Sequence, residues 1–101
     1  MADSKTALDA FTPVRLDDWS RLRRELRQFA TGRGDTTEVG DRLVYRSGGA
    51  AFAVTRDGHV DAGMPLHEFS VTGVDRVHVD QDGGRLLVRG PGGLEYLFRR
   101  P

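Results

Sequence analysis

The feature that most constrains this chain is a change in the spacing of its apolar residues after the first third of the sequence. Between residues 19 and 30, apolar side chains recur at the spacing of one helical face: Trp19, Leu22, Leu26, Phe29 and Ala30. From residue 42 onward they alternate with polar residues, and glycine-containing turns separate the alternating segments. The sequence therefore predicts one amphipathic helix followed by a series of β-hairpins.

Six alternating segments are predicted to be β-strands. They are RLVYRS (42–47), AAFAVT (50–55), HVDAG (59–63), FSVTGVDRVHV (69–79), RLLVR (85–89) and LEYLFRR (94–100). Gly73 is expected to form a bulge in the long fourth strand, and Pro65 to begin a short helical turn before it. The predicted fold class is α+β, with an N-terminal amphipathic helix packed on one face of a five- or six-stranded antiparallel β-meander.

Turn chemistry and the matching of apolar faces predict how the strands pair. The expected cross-strand pairs are Tyr45 with Phe52, Leu43 with Val54, Val54 with Val60, Val79 with Leu86, Val77 with Val88, and Asp80 with Arg85. The third pair requires a three-residue loop that ends in a left-handed Gly58. A two-residue loop would instead place Val54 opposite Asp61.

One hydrophobic core is expected, because a chain of 101 residues is long enough for a single domain. Its predicted members are Trp19, Leu22, Leu26, Phe29, Leu43, Tyr45, Phe52, Val54, Val77, Val79, Leu86, Val88, Tyr96 and Phe98. Residues 1–13 show no periodic pattern and are predicted to form a flexible N-terminal arm, which leaves residues 14–101 as the domain. Asp17 or Asp18 is expected to cap the helix.

Charge and composition exclude several functional classes. The chain has 15 basic and 15 acidic residues, so it has no general attraction to nucleic acid or to an anionic membrane. It has no cysteine, which removes disulfides, thiolate metal ligands and thiol nucleophiles. No apolar run approaches the roughly 18 residues of a membrane span, and the first residues do not resemble a signal peptide. A cytoplasmic protein without a cofactor or a membrane segment is expected.

The segment WSRLRRELRQF (19–29) concentrates arginines on the predicted helix and raises the possibility of phosphate contact. Nucleic-acid binding through Arg23, Arg24 and Arg27 is therefore one hypothesis. Two observations argue against it: the arginines spread around the flanks of the apolar face, and residues 1–41 contain seven basic against eight acidic residues. A solvated helix face is the favoured interpretation.

Two His-Val-Asp segments are the main candidates for metal chemistry. His59 with Asp61, and His78 with Asp80, would each share one face of a strand and could form a joint metal site if the two strands were neighbours. The alternative is that both pairs lie on outward faces, and we assign no metal ligand. Because Ser70 has no nucleophile-elbow context, we assign no catalytic residue either.

The face of the predicted sheet away from the helix is unusually apolar. The residues expected to point outward there include Val44, Ala51, Ala53, Leu87 and Leu97. Scattered small apolar residues can be tolerated on a surface. The favoured hypothesis is instead a non-enzymatic interaction domain that forms a homodimer or binds a protein partner through this face. A third hypothesis is a small-ligand pocket between helix and sheet, lined by Trp19, Tyr45 or Tyr96.

Overall fold

The strands of this protein divide between two antiparallel sheets. The structure, a computed structural model, describes residues 10–64 and 67–101, and all of their side chains except that of His67. This part of the chain contains one α-helix, α1 (Trp19–Ala30), a short 3₁₀ helix (Pro91–Gly93), and a four-stranded and a five-stranded sheet. The fold is α+β as predicted, but the single sheet of five or six strands is wrong.

The five-stranded sheet is formed by strands that follow one another along the chain. They are β2 (Asp35–Val39), β3 (Arg42–Ser47), β4 (Ala50–Thr55), β5 (Val60–Met64) and β6 (His67–Val71), in the order β2-β3-β4-β5-β6. The four-stranded sheet has the order β1-β7-β8-β9. Its members are β1 (Thr12–Arg15), β7 (Arg76–Asp80), β8 (Arg85–Arg89) and β9 (Glu95–Arg99).

All six predicted cross-strand pairs are present. The loop between β4 and β5 shows why register follows from turn chemistry. Gly58 has a φ of +95°, and a Cβ atom there would lie 2.5 Å from the carbonyl oxygen of Val74. Only glycine fits this left-handed, closely packed position, and the resulting three-residue loop places Val54 opposite Val60.

The segment 69–79 is not one bulged strand. Its first part belongs to β6 in the five-stranded sheet, and its last part belongs to β7 in the four-stranded sheet. The residues between them are held by the β4–β5 loop, since Val74 N–H donates to the Gly58 carbonyl at 3.1 Å. Gly73, at a φ of +83°, lies in this crossing between sheets. The helical turn predicted at Pro65 lies outside the described residues, and β6 begins at His67.

Two strands carry too weak a pattern to be predicted. β1 has only four residues, and it pairs with β7 so that Val14 is fully buried. Thr12 and Pro13 therefore belong to the sheet and not to a flexible arm, while residues 1–9 lie outside the described part of the chain. β2 is an edge strand that is exposed at four of its five positions, and its sequence DTTEV shows no alternation of apolar and polar residues.

The core lies between the inner faces of the two sheets and the apolar face of α1. Every predicted core residue belongs to it, although Tyr96 is only partly buried. Four aromatic rings connect the three elements. Phe29 of α1 contacts Tyr45 of β3 edge to face, with ring centroids 5.3 Å apart. Phe98 of β9 contacts Tyr45 at 6.0 Å and Phe52 of β4 at 5.5 Å.

Side chains that directly follow β7 and β9 also bind two carbonyl groups of α1, and that of Phe29, in the last turn, has no partner within the helix. Gln81 donates to the Glu25 carbonyl at 2.8 Å, and Arg100 donates to the Phe29 carbonyl at 2.9 Å. The positive charge of Arg100 also suits the negative end of the helix dipole. At the other end, Asp18 occupies the N-cap position but its side chain makes no capping hydrogen bond.

Replacement of Phe98 should show how much the fold depends on this aromatic contact. Phe98 is fully buried, and Phe98→Ala should lower the free energy of unfolding by about 3 to 5 kcal/mol, since it leaves a cavity between the sheets. The neighbouring Leu97 is 38% exposed on the other face, so Leu97→Ala should cost less than about 1 kcal/mol. Urea unfolding measures both, and similar losses would contradict the described packing.

Candidate functional site

The outer face of the five-stranded sheet contains a groove of about 420 Å³. Its floor is formed by Val44 of β3, Ala51 and Ala53 of β4, and Gly63 of β5. These residues point away from the core because side chains alternate along a strand, and Tyr45 and Phe52 point inward. Since the residues of β4 and β5 are small, the centre of the face is lower than its margins. We term this surface the outer groove.

Charged side chains form the two rims of the outer groove. Arg42 and Arg46 of β3 form one rim, and Asp61 of β5 with Glu68 of β6 forms the other. Arg42 and Asp61 approach each other across the groove at 3.8 Å, and each is about half exposed. Arg46 and Glu68 are exposed and form no ion pair with another residue in the described part of the chain. Their charges are available to a molecule that enters the groove.

His59, Asp61 and Ser70 form a polar cluster at one end of the outer groove. The Nε2 atom of His59 lies 3.0 Å from Oδ2 of Asp61 and 3.3 Å from the Ser70 hydroxyl. Burial alone would raise the pKa of Asp61, but hydrogen bonds from Ser70 and His59 and the nearby positive charges lower it overall. Asp61 therefore remains an anion that can accept hydrogen bonds.

This cluster does not have the arrangement of a catalytic triad. A triad uses one ring nitrogen of histidine for the nucleophile and the other for the carboxylate. Here the Ser70 hydroxyl and the Asp61 carboxylate both approach Nε2 of His59. The imidazole therefore cannot accept a proton from Ser70 through Nε2 while the same nitrogen is engaged by Asp61.

The structure separates the five residues predicted to form one apolar surface. Val44, Ala51 and Ala53 come together in the outer groove. Leu87 and Leu97 lie on β8 and β9, on the outer face of the other sheet. The physical reason is that the strands form two sheets whose inner faces share the core, and each sheet therefore has its own outer face.

The two His-Val-Asp segments are separated in the same way. Asp61 belongs to β5 of the five-stranded sheet and His59 directly precedes this strand, whereas His78 and Asp80 belong to β7 of the four-stranded sheet. Asp80 is engaged by Arg85 at 2.7 Å and by the Gly83 N–H at 2.9 Å. The joint metal site that these segments suggested is therefore not formed. Within residues 10–64 and 67–101, no group of three or more histidine, aspartate or glutamate side chains is placed to hold a metal ion.

His78 lies in an apolar row of the four-stranded sheet, opposite Pro13 on one side and Leu87 on the other. Burial lowers its pKa, and the positive charges of Arg89 and Arg76 lower it further. His78 is therefore held in its neutral form, and it does not add to the positive charge of this face.

The three arginines of α1 that were considered for phosphate contact differ in their surroundings. Arg23 binds the Glu38 carboxylate through Nε at 2.7 Å and Nη2 at 3.1 Å, and the Trp19 indole donates to the same carboxylate at 3.1 Å. Arg23 thus connects the helix to β2. Arg24 and Arg27 are exposed to solvent. The arrangement gives no support to a phosphate-binding role for these three residues.

The aromatic residues proposed for a pocket between helix and sheet pack in the core. Tyr45 is fully buried, and its hydroxyl donates to the Arg33 carbonyl at 2.8 Å. Trp19 is 5% exposed, and Tyr96 stacks on Phe69 with ring centroids 4.2 Å apart. These contacts fill the space where a ligand would have to bind.

The sequence alone predicts part of the outer groove. The predicted pairing of β3, β4 and β5 places Val44, Ala53 and Asp61 in one row across the sheet. Glu68 and Ser70 were missed because they lie on β6, and the sequence pattern assigned Ser70 to the strand that was predicted to continue into β7. The pairing of β5 with β6 therefore supplied the second rim.

Comparison of this chain with family models, curated proteins and solved structures finds no significant match. Within the described residues, no helix is both long enough and apolar enough to cross a membrane. The inference of function therefore depends on the geometry of the outer groove.

The Glu38 contacts predict how the stability of this domain depends on pH. Hydrogen bonds from Arg23 and Trp19 lower the pKa of Glu38 from 4.5 to about 2. The stabilisation is therefore complete above pH 4.5 and is lost as the pH falls toward 2. Acidification from about pH 7 to about pH 3 should therefore destabilise Glu38→Gln less than it destabilises the wild type.

Urea unfolding of both proteins at the two pH values measures this difference. Glu68→Gln is the matched control, because Glu68 is an exposed carboxyl without an ion pair in the described residues, and it should retain the wild-type pH dependence. Equal acid sensitivity of the wild type and Glu38→Gln would contradict the structural role of this carboxylate.

Proposed function

We propose that this protein is a non-enzymatic interaction domain that binds a protein partner through the outer groove. One observation carries the proposal: an apolar floor of small residues lies between two rims of exposed charge. Protein interfaces have this composition, with an apolar centre surrounded by polar and charged residues.

The shape of the outer groove supports a macromolecular partner over a small ligand. The rim residues Arg46 and Glu68 lie on β3 and β6, three strand spacings or roughly 14 Å apart across the sheet, whereas Arg42 and Asp61 meet at 3.8 Å. The groove is open to solvent along this width, whereas small-molecule sites enclose most of the ligand surface. A protein segment or a protein face can contact both rims and the floor together.

The polar cluster supports the non-enzymatic part of the proposal. Because the side chains of Ser70 and Asp61 share one nitrogen of His59, none of the three is arranged as an activated nucleophile. They can donate and accept hydrogen bonds at the margin of an interface. A cytoplasmic location, expected from the cysteine-free sequence, belongs to the same proposal.

Site-specific photo-crosslinking in cells that express the protein tests the proposal. A benzophenone amino acid at Ala51, which is half-buried in the groove, should yield a discrete protein adduct on irradiation. The same group at Gln28, on the exposed face of α1, should not. Ala53→Arg in the Ala51 variant should remove the adduct, because it fills the floor of the groove with a long charged side chain.

Mass spectrometry of the adducts identifies the partner, and circular dichroism checks that each variant is folded. The proposal fails if the folded Ala51 variant gives no adduct. It also fails if the Gln28 variant crosslinks to the same protein with the same yield.

A further inference from the structure

We infer that this domain forms a two-fold dimer through the free edge of β9, where β9 of one copy pairs antiparallel with β9 of a second copy. β9 is the last strand of the four-stranded sheet and pairs only with β8 among the described strands. The outer groove lies on the other sheet, so this inference does not depend on the proposed function. It is carried by the backbone groups that β9 presents, by the contrast with β1, and by the order of charges along β9.

Alternate residues of β9 direct their backbone groups away from β8. At one end of the β8–β9 ladder, the Gly90 N–H donates to the Leu94 carbonyl at 2.8 Å. At the other end, the Arg100 N–H donates to the Gly84 carbonyl at 2.7 Å. Hydrogen-bonded positions recur at every second residue of an antiparallel pair, so the even-numbered residues of β9 bond to β8. The residues whose N–H and C=O groups face the free edge are Glu95, Leu97 and Arg99.

The opposite edge of this sheet, formed by β1, is protected against strand pairing. The Leu16 N–H donates to the Asp75 carbonyl at 3.0 Å, and the same alternation makes Thr12 and Val14 the positions of β1 that bond to β7. Pro13 lies between them, with its nitrogen toward the free side. Proline has no N–H to donate there, and proline on an edge strand prevents edge-to-edge pairing. β9 contains no proline, so its edge retains every donor.

The sequence of β9 is self-complementary for antiparallel pairing. It reads EYLFR, with opposite charges at its two ends and Leu97 at its centre. A two-fold axis through Leu97 places Glu95 opposite Arg99 of the second copy, and it does so twice because the interface is symmetric. The two Leu97 residues then lie opposite each other. Each N–H group on the free edge of β9 meets a carbonyl group of the second copy.

Other antiparallel registers satisfy these residues less well. An axis through Tyr96 or Phe98 would place Leu97 opposite a charged residue and would leave one end of each strand unpaired. An axis through Glu95 or Arg99 would place two like charges opposite each other, which is destabilising. The axis through Leu97 pairs β9 over its full length with opposite charges at both ends.

The charged neighbours of β9 are compatible with this register. Glu95 binds Arg89 through Oε2 at 2.8 Å, is about half exposed, and has a second carboxylate oxygen. Arg99 lies opposite Arg85, which is itself bound to Asp80 at 2.7 Å. Arg99 is exposed and forms no ion pair with another residue in the described part of the chain. In the dimer it gains the carboxylate that it lacks in the single chain.

Leu97 supplies the apolar part of the contact. It is 38% exposed, and it continues a row across the sheet that contains Leu87 and His78. Pairing at the two-fold axis brings the two Leu97 side chains together and joins the two rows. Because a single pair of strands buries a small area, the dimer belongs to the weak class of interfaces and depends on protein concentration.

Sedimentation analysis of Leu97→Pro tests the role of the backbone. The wild type should approach twice the protomer mass as its concentration rises. The Leu97 N–H faces the free edge, so proline there removes no hydrogen bond to β8 and should leave the fold intact. It removes one donor from each copy at the axis and should raise the dissociation constant at least about tenfold. Leu97→Ala is the matched control, because it retains the N–H, and should raise the constant only about threefold.

Charge-exchange variants test the register. Glu95→Arg and Arg99→Glu should each raise the dissociation constant by about tenfold, since each replaces two attractions with two repulsions. The double variant restores opposite charges and should return the constant to within about threefold of wild type. Arg46→Glu makes the same change of charge on the five-stranded sheet and should have no effect. Glu95, Arg99 and Arg46 are exposed, so none of these substitutions removes a core contact.

The outcomes are distinct for the dimer, the register and the outer groove. A wild type that stays monomeric at millimolar concentration overturns the inference. It is also overturned if Arg46→Glu weakens the dimer as strongly as Arg99→Glu, or if the double variant does not recover. Circular dichroism checks folding, and if Leu97→Pro does not fold, the charge-exchange variants decide. An Ala51 adduct with another protein that persists in a monomeric variant supports the proposed function without the dimer.

Discussion

Contact among four aromatic rings is the interaction on which the rest of this structure depends. The helix and the two sheets each have one apolar face, and none of them can bury that face alone. Phe29 from α1, Tyr45 and Phe52 from the five-stranded sheet, and Phe98 from the four-stranded sheet are all fully buried in one cluster. Because both sheets place their apolar faces in this cluster, both of their other faces remain on the surface.

The two outer faces differ in how their charges are used. On the four-stranded sheet, Arg85 pairs with Asp80 and Arg89 pairs with Glu95 within the same face. On the five-stranded sheet, the charges of Arg46 and Glu68 stand on opposite sides of an uncharged strand, without an ion pair in the described residues. Arg85 and Arg89 are therefore engaged by carboxylates of their own face. The uncharged floor between the exposed side chains of Arg46 and Glu68 makes the outer groove the better candidate for recognition.

The arginine-rich helix shows why residue counts are a poor guide to binding. Arg23 of α1 forms an ion pair with Glu38 of β2. The side chains of Gln81 and Arg100 donate hydrogen bonds to the backbone carbonyls of Glu25 and Phe29. These contacts attach α1 to both sheets. Arg23 therefore has a structural role, because it connects α1 to β2. The sequence of the helix does not distinguish this role from phosphate binding.

The sequence by itself determined the local features of this protein. The spacing of Trp19 and Phe29 defines the buried face of α1, and the position of Gly58 defines the pairing of β4 with β5. Both follow from interactions between residues close in the chain, namely helical periodicity and turn geometry.

Only the tertiary structure decided how the strands are shared between two sheets. β1 pairs with β7 across more than sixty residues, and the segment that contains Gly73 crosses from one sheet to the other. Such pairings depend on which apolar faces meet in the core, and an alternating pattern does not encode its distant partner. The outer groove has the same origin, because its two rims lie on strands whose neighbours are fixed by the packing of the whole domain.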